Sequence, residues 1–289
     1  MLLRLRITNR PAYARPVVPP KKRLSQSKYQ LLKVVIMGWE EVAADKRKRI
    51  EESIPKEWRV EVKDQNGSFM DLPASSGLLT ADELEITNSS GVDLVSKLAA
   101  GQLKSVDVTL AFCKRAALAH QAVSKEISQS VSWFRSTSTD DDEQLNLALE
   151  FFPDMALAQA KELDKYYEEN KKPVGPLHGL PISLKDQLRV KGLETSMGYV
   201  AWLGKFDEED SALTALLRKA GAVFYIKTSV PQSLMVCETV NNIIGRTLNP
   251  RNKNWSCGGS SGGEGANIGF RGGIIGVGTD IGECQDTNR

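Results

Sequence analysis

Eleven glycines fall among the last 32 residues of this chain, from Gly258 onward. Such density means that the backbone itself is in use there, in turns, close approaches or rows of amide donors. The run Gly258-Gly259-Ser260-Ser261-Gly262-Gly263-Glu264-Gly265-Ala266 invites four readings. A P-loop needs GxxxxGK[ST], whose lysine reaches the phosphates, and no lysine follows these glycines. A dinucleotide fingerprint needs GxGxxG; Gly263, Gly265 and Gly269 are spaced one residue too long, and so are Gly276, Gly278 and Gly282. A flexible linker avoids apolar residues, yet Ile268, Phe270, Ile274, Ile275 and Val277 share the stretch. The fourth reading is a hydrolase site, in which adjacent backbone N–H groups stabilise an oxyanion and serines act as nucleophile or proton relay.

The rest of the chain supports a folded α/β body. Trp39 to Ile50 has the pattern of a charged helix, stopped by Pro55. Ser89 or Ser90 is placed to cap a helix through Leu98, with Gly101 as its stop. Ser105 is expected to cap a second helix with Val108, Phe112, Ala116 and Ala119 on one face. Met155 to Tyr167 returns to helical spacing, with Ala156, Ala160 and Leu163 in one stripe. Leu180 to Leu184 reads as a short apolar strand that delivers Lys185. Asp210 or Ser211 caps a helix through Lys219, Gly221 ends it, and Ala222 to Ile226 is a further strand. Gly272 to Val277 fits a buried strand. Strand and helix alternate at the spacing of an α/β fold.

Charge divides the chain unevenly. Residues 1–36 contain nine Lys or Arg and no acid, with Pro16, Pro19 and Pro20 among them, which predicts a basic disordered extension. An acid-free N-terminus of this kind is also compatible with a mitochondrial presequence; otherwise the expected location is cytoplasmic. The remainder carries 29 basic against 36 acidic residues, a net of −7, which argues against nucleic acid as a partner. No apolar run approaches the ~18–20 residues that span a bilayer, so no membrane partner is expected. Residues 124–144, Ser-rich and then acidic, read as an inserted surface loop. Cys113, Cys237, Cys257 and Cys284 are widely spaced and read as reduced thiols, and two histidines without HExxH give no zinc site.

Four stretches in one order then carry a resemblance. They are Gly175-Pro176-Leu177-His178-Gly179-Leu180-Pro181-Ile182-Ser183-Leu184-Lys185-Asp186, the segment Glu238 to Asn241 with Gly245-Arg246-Thr247 and Asn249-Pro250, Gly258 to Ala266, and Gly278-Thr279-Asp280-Ile281-Gly282. Together they resemble the amidase-signature family, most closely its fungal acetamidase-like members. The resemblance implies the amidase-signature fold, a mixed sheet flanked by helices, in residues 37–289, present as its N-terminal half. It also implies hydrolysis of the C–N bond of small carboxylic amides by a Ser–Ser–Lys triad, with no metal or cofactor. By position Lys185 looks like the family's base, and Ser260 like the bridging serine on a cis peptide, with Ser261 beside it. Ile281, Gly282 and Glu283 fall where backbone N–H groups would form the oxyanion hole.

The sequence departs from the family where the nucleophile belongs. The family reads Asp-Ile-Gly-Gly-Ser; this chain reads Asp280-Ile281-Gly282-Glu283-Cys284. Two readings stay open. Cys284 serves as a thiol nucleophile, which its chemistry allows. Alternatively the chain leaves the family after Gly282, through a faulty transcript or gene model, and is a non-catalytic fragment or an interaction protein. A carboxylate at Glu283 opposes an oxyanion, which favours an inactive chain. The particular amide substrate and the oligomeric state are not legible.

Overall fold

The structure, a computed structural model, describes residues 38–60, 68–124 and 143–280. The expectations for residues 1–36, and for most of 124–144, fall outside the described residues.

Helix α1 (Trp39–Ser53) buries Val42, Lys46 and Ile50, spaced four apart on one face, and ends just before Pro55. A single turn, α2 (Leu72–Ser75), leads to α3 (Ala81–Asn88), which Thr80 and Glu83 close with a reciprocal capping box. Ser90 caps α4 (Gly91–Ala99), and Gly101 takes the left-handed conformation that stops it. Helix α5 (Ser105–Gln121) corrects the expected cap. Ser105 is its first residue, and the carboxylate of Asp164 accepts from the N–H groups of Ser105 at 2.6 Å and Val106 at 3.0 Å. A carboxylate supplies two acceptors and a negative charge to the positive helix end, where a hydroxyl supplies one acceptor.

The ends of the expected 124–144 loop pair as a two-residue antiparallel ladder, β1 (Val123–Ser124) with β2 (Glu143–Gln144). There follow β3 (Ala148–Phe151), α6 (Pro153–Asn170), β4 (Pro181–Lys185), α7 (Ala212–Lys219), capped by Ser211, and β5 (Val223–Thr228). A small ladder, β6 (Val240–Asn241) with β7 (Gly245–Arg246), precedes α8 (Gly262–Gly269) and β8 (Gly276–Val277). The main sheet has the order β3-β5-β4-β8. Strands β5 and β8 both run parallel to β4, and β3 runs antiparallel to β5, so the sheet is mixed. Every residue of β4 and β5 is buried. One apolar cluster holds Leu94, Leu98, Phe112, Ile182 and Phe224; the other holds Ala116, Phe151, Ala160, Tyr225 and Ile226. Helix α5 contributes to both.

Two features of the glycine-rich region differ from expectation. Residues 262–269 form a helix although four of the eight are glycine, each costing about 1 kcal/mol relative to alanine. Packing overrides that cost, because a Cβ on Gly263 would overlap the backbone of Ser229. The expected strand from Gly272 shrinks to Gly276–Val277, and both residues are only half-buried. Gly272 instead closes α8: Arg271 is left-handed at φ 62°, and the Gly272 N–H donates to Asn267 O at 2.8 Å.

A buried charge network joins α1 to the sheet. Lys46 pairs with Glu150 of β3 and, at 2.8 Å, with Glu194, which Arg49 also meets at 3.2 Å. Burial opposes the charge on Glu194, but Lys46 and Arg49 outweigh it and hold the carboxyl below its ordinary range. Burial wins at Glu150 and pushes it up. Replacing Lys46 by alanine leaves both carboxylates without their shared cation, and should cost about 3–5 kcal/mol of unfolding free energy in urea titrations. A loss below about 1 kcal/mol would show that the network is solvated rather than buried.

Candidate active site

Because β4 and β5 are parallel, their carboxyl ends lie at one edge of the sheet, the side where open α/β sheets bind ligands. Lys185 ends β4 and is registered opposite Thr228, which ends β5. The lysine is fully buried, and an ammonium has three N–H donors to satisfy. Its Nζ donates to Ser260 Oγ at 2.7 Å, to Thr279 O at 2.8 Å and to Thr279 Oγ1 at 2.9 Å. Ser260 sits on the turn that enters α8, and the Gly259–Ser260 peptide is cis. Ser261 ties this turn to the stretch after β8: its Oγ donates to Thr279 O at 2.9 Å and accepts from Thr279 N at 3.2 Å.

Proton bookkeeping gives the pair a direction. Thr279 Oγ1 donates its own hydrogen to Gln187 Oε1 at 2.7 Å, so toward Lys185 it acts as an acceptor. The Thr279 carbonyl can only accept. A neutral Lys185 amine then spends its two N–H bonds on Thr279, and its lone pair faces the Ser260 hydroxyl. Burial drives the lysine toward that neutral form, down to about 8, while Asp280 and Glu264 pull it back up. The arrangement can take a proton from Ser260.

Asp186, next in sequence, serves the turn after β4. Its Oδ2 accepts from Ser196 N at 3.0 Å, Ser196 Oγ at 3.2 Å and Met197 N at 2.7 Å. Its other oxygen lies 3.4 Å from the Lys227 ammonium, which also donates to Glu194 O and Thr195 Oγ1.

The structure therefore brings Lys185 and Ser260 together, with Ser261 one bond away. Ile281, Gly282, Glu283 and Cys284 lie outside the described residues. Sequence reasoning missed Thr279 and Gln187. The signal was partial: once Lys185 is known to be buried, its ammonium demands three acceptors and Ser260 supplies one, which leaves the hydroxyl of Thr279 in Gly278-Thr279-Asp280 to be assigned. Glu264 was also missed, the one charged residue of a glycine-rich helix.

Comparison with known proteins shows the family. A family model described as Amidase matches residues 129–283. The chain is 66% identical over 245 residues to an acetamidase of Emericella nidulans, and 34% identical over 251 residues to a probable amidase of Saccharomyces cerevisiae. These alignments cover 85% and 84% of this chain but 41% of each relative, so the chain spans about two fifths of their length. Among solved structures, a fatty acid amide hydrolase superposes with a TM-score of 0.74 at 39% identity, over 86% of this chain and 41% of that one. A peptide amidase superposes at 0.53 and 27% identity, over 67% and 36%.

Replacing Thr279 by valine keeps its shape and removes one acceptor of the ammonium. The Lys185 midpoint should then fall below its value of about 8, followed by the 13Cε shift of labelled lysine. An unmoved or raised midpoint would mean that the threonine hydroxyl does not hold the charge.

Proposed function

Since the chain belongs to the amidase family, we propose that Lys185 and Ser260 are the proton-relay half of a site that hydrolyses the C–N bond of small carboxylic amides. The observation that carries this reading is the 2.7 Å contact between the two, with every other partner of Lys185 able only to accept. In the Ser–Ser–Lys mechanism, Lys185 Nζ takes the Ser260 proton while Ser260 Oγ takes the proton of the nucleophile. The freed nucleophile attacks the amide carbon, and the resemblance to the family assigns the backbone N–H groups of Ile281 and Gly282 to the oxyanion. The proton returns through Ser260 to the leaving amine as the C–N bond breaks. Water then releases the acyl group, activated through the same pair.

The reading extends to what this chain does as written. Glu283 stands where the family has glycine, and Cys284 stands in the register of the family's serine. The purified chain is therefore expected to show no turnover of acetamide or benzamide. Turnover that disappears in Lys185→Ala would overturn this and make Cys284 the nucleophile.

A chain continued after Gly282 with the family's Gly-Ser-Ile-Arg and the remainder of an acetamidase should hydrolyse simple amides, indifferent to chelators. Lys185 works as a base only when neutral, so kcat should rise about tenfold between pH 7 and pH 9 and level off above its midpoint of about 8. Either Lys185→Ala or Ser260→Ala should lower kcat by ~10²–10⁴-fold, and both together little more than the worse one. A Lys185→Ala enzyme within about threefold of its parent would remove the lysine from the reaction.

A further inference from the structure

Glu264 is a carboxylate inside the molecule, only 6% exposed, in the first turn of α8. Burying an acid away from water is costly unless its oxygens are satisfied. Here each oxygen has its own partner: Ser183 Oγ donates to Oε2 at 2.6 Å, and Thr228 Oγ1 donates to Oε1 at 2.8 Å. The two hydroxyls are not arbitrary neighbours. Ser183 precedes Lys185 by two residues and so shares its face of β4, while Thr228 is registered opposite Lys185 on β5. Ser260, on the other side of the contact, lies four residues before Glu264. One side chain thus joins the three elements that bring the lysine and the serine together.

The fold makes room for that carboxylate. Gly276 of β8 is paired with Ser183, and a Cβ at Gly276 would overlap both the Glu264 carboxylate and the Ser183 hydroxyl. The titratable groups facing Glu264 are Lys185 from β4 and Tyr225 from β5; Asp280, beyond β8, faces Lys185. Tyr225 donates to Gly272 O at 2.7 Å and stays protonated, burial pushing it up.

We propose that Glu264 is a positioning residue for the lysine–serine pair, a buried carboxylate that fastens α8 to the strands around Lys185 and adds its negative charge to that of Asp280 facing that lysine. This rests on the reading of Lys185 and Ser260 as a proton relay. Charge and attachment are separable parts of the idea. A glutamine at 264 keeps the size and can still meet two hydroxyls, but carries no charge. Burial pushes the Glu264 carboxyl up to about 7, against the pull of the two hydroxyls and of Lys185. Near neutral pH it is therefore partly ionised, and each of the two groups raises the cost of neutralising the other.

The test follows Lys185 in the full chain by the 13Cε shift of labelled lysine, its resonance assigned by its loss in Lys185→Arg. Far-UV circular dichroism checks the fold of each variant. In Glu264→Gln the lysine midpoint should drop, by up to about one pH unit, because one of the two anions facing it is gone while Asp280 remains. Glu264→Asp, which keeps the charge, should stay nearer the parent. A folded Glu264→Gln whose midpoint lies within about 0.2 of the parent would overturn the proposal, since a packing role alone leaves the titration unmoved. Where Glu264→Gln does not fold, Ser183→Ala and Thr228→Val each remove one donor to the carboxylate, so it keeps its proton to higher pH. Both should then lower the Lys185 midpoint, and unmoved midpoints in both would overturn the proposal. No turnover enters this measurement. A continued enzyme that survives Lys185→Ala sinks the relay reading, whereas an unmoved titration sinks only the role of Glu264.

Discussion

A fully buried ammonium at the end of a parallel strand is the constraint on which the rest of this site depends. An unpaired charge in that position would cost several kcal/mol or lose its proton. Lys185 avoids the full penalty by gathering three acceptors from two segments that lie 75 and 94 residues further along the chain. The turn before α8 and the stretch after β8 must both reach it. Their mutual bonds, Ser261 with Thr279 in both directions, keep them in register with each other. The acceptors are sufficient to bury the lysine and insufficient to keep its ordinary proton affinity. That imbalance is what makes a base.

Glycine in this region serves space more than flexibility. A helix that begins in a glycine pair lets its first turn lie directly on Ser229, with the Gly263 N–H donating to the Ser229 carbonyl at 3.1 Å. The same economy operates at β8, where a missing side chain leaves volume for a carboxylate. Local propensity is given up at both places in exchange for close approach. The compensation comes from burial, since Gly263 and Ala266 are buried against the sheet.

Much of this was readable from the residues. Leu180 to Leu184 announced a strand by apolar content, and Ser90 and Ser211 announced helix starts by their side-chain oxygens. The contact between Lys185 and Ser260 came from resemblance, because no spacing rule joins residues 75 apart. What escaped the sequence was whatever depended on distant partners. Asp164 caps a helix 59 residues upstream, a role that no window around Ser105 contains. Residues 262–269 looked like a turn because four glycines mask a helix that exists only through packing. Thr279 was visible as part of a motif, but its use as an acceptor follows only from knowing that the lysine is buried. The short β3, antiparallel to its neighbour, also passed unnoticed among residues that alternate like a parallel fold.

The bond from Lys46 to Glu194 closes a span of 148 residues. Chains emerge from the ribosome N-terminus first, at about 5–20 residues per second. Helix α1 is therefore complete seconds before Glu150 exists, and longer still before Glu194 completes the neutralisation of its buried cation. Until then the buried charge network is incomplete, and the apolar stripe of Val42 and Ile50 has no complete sheet to cover it. Non-local closures of this kind slow folding, because loop entropy is lost before the contact repays it. The first helix among the described residues is thus late to find its place, and until the sheet exists its stripe is open to other molecules in the cell.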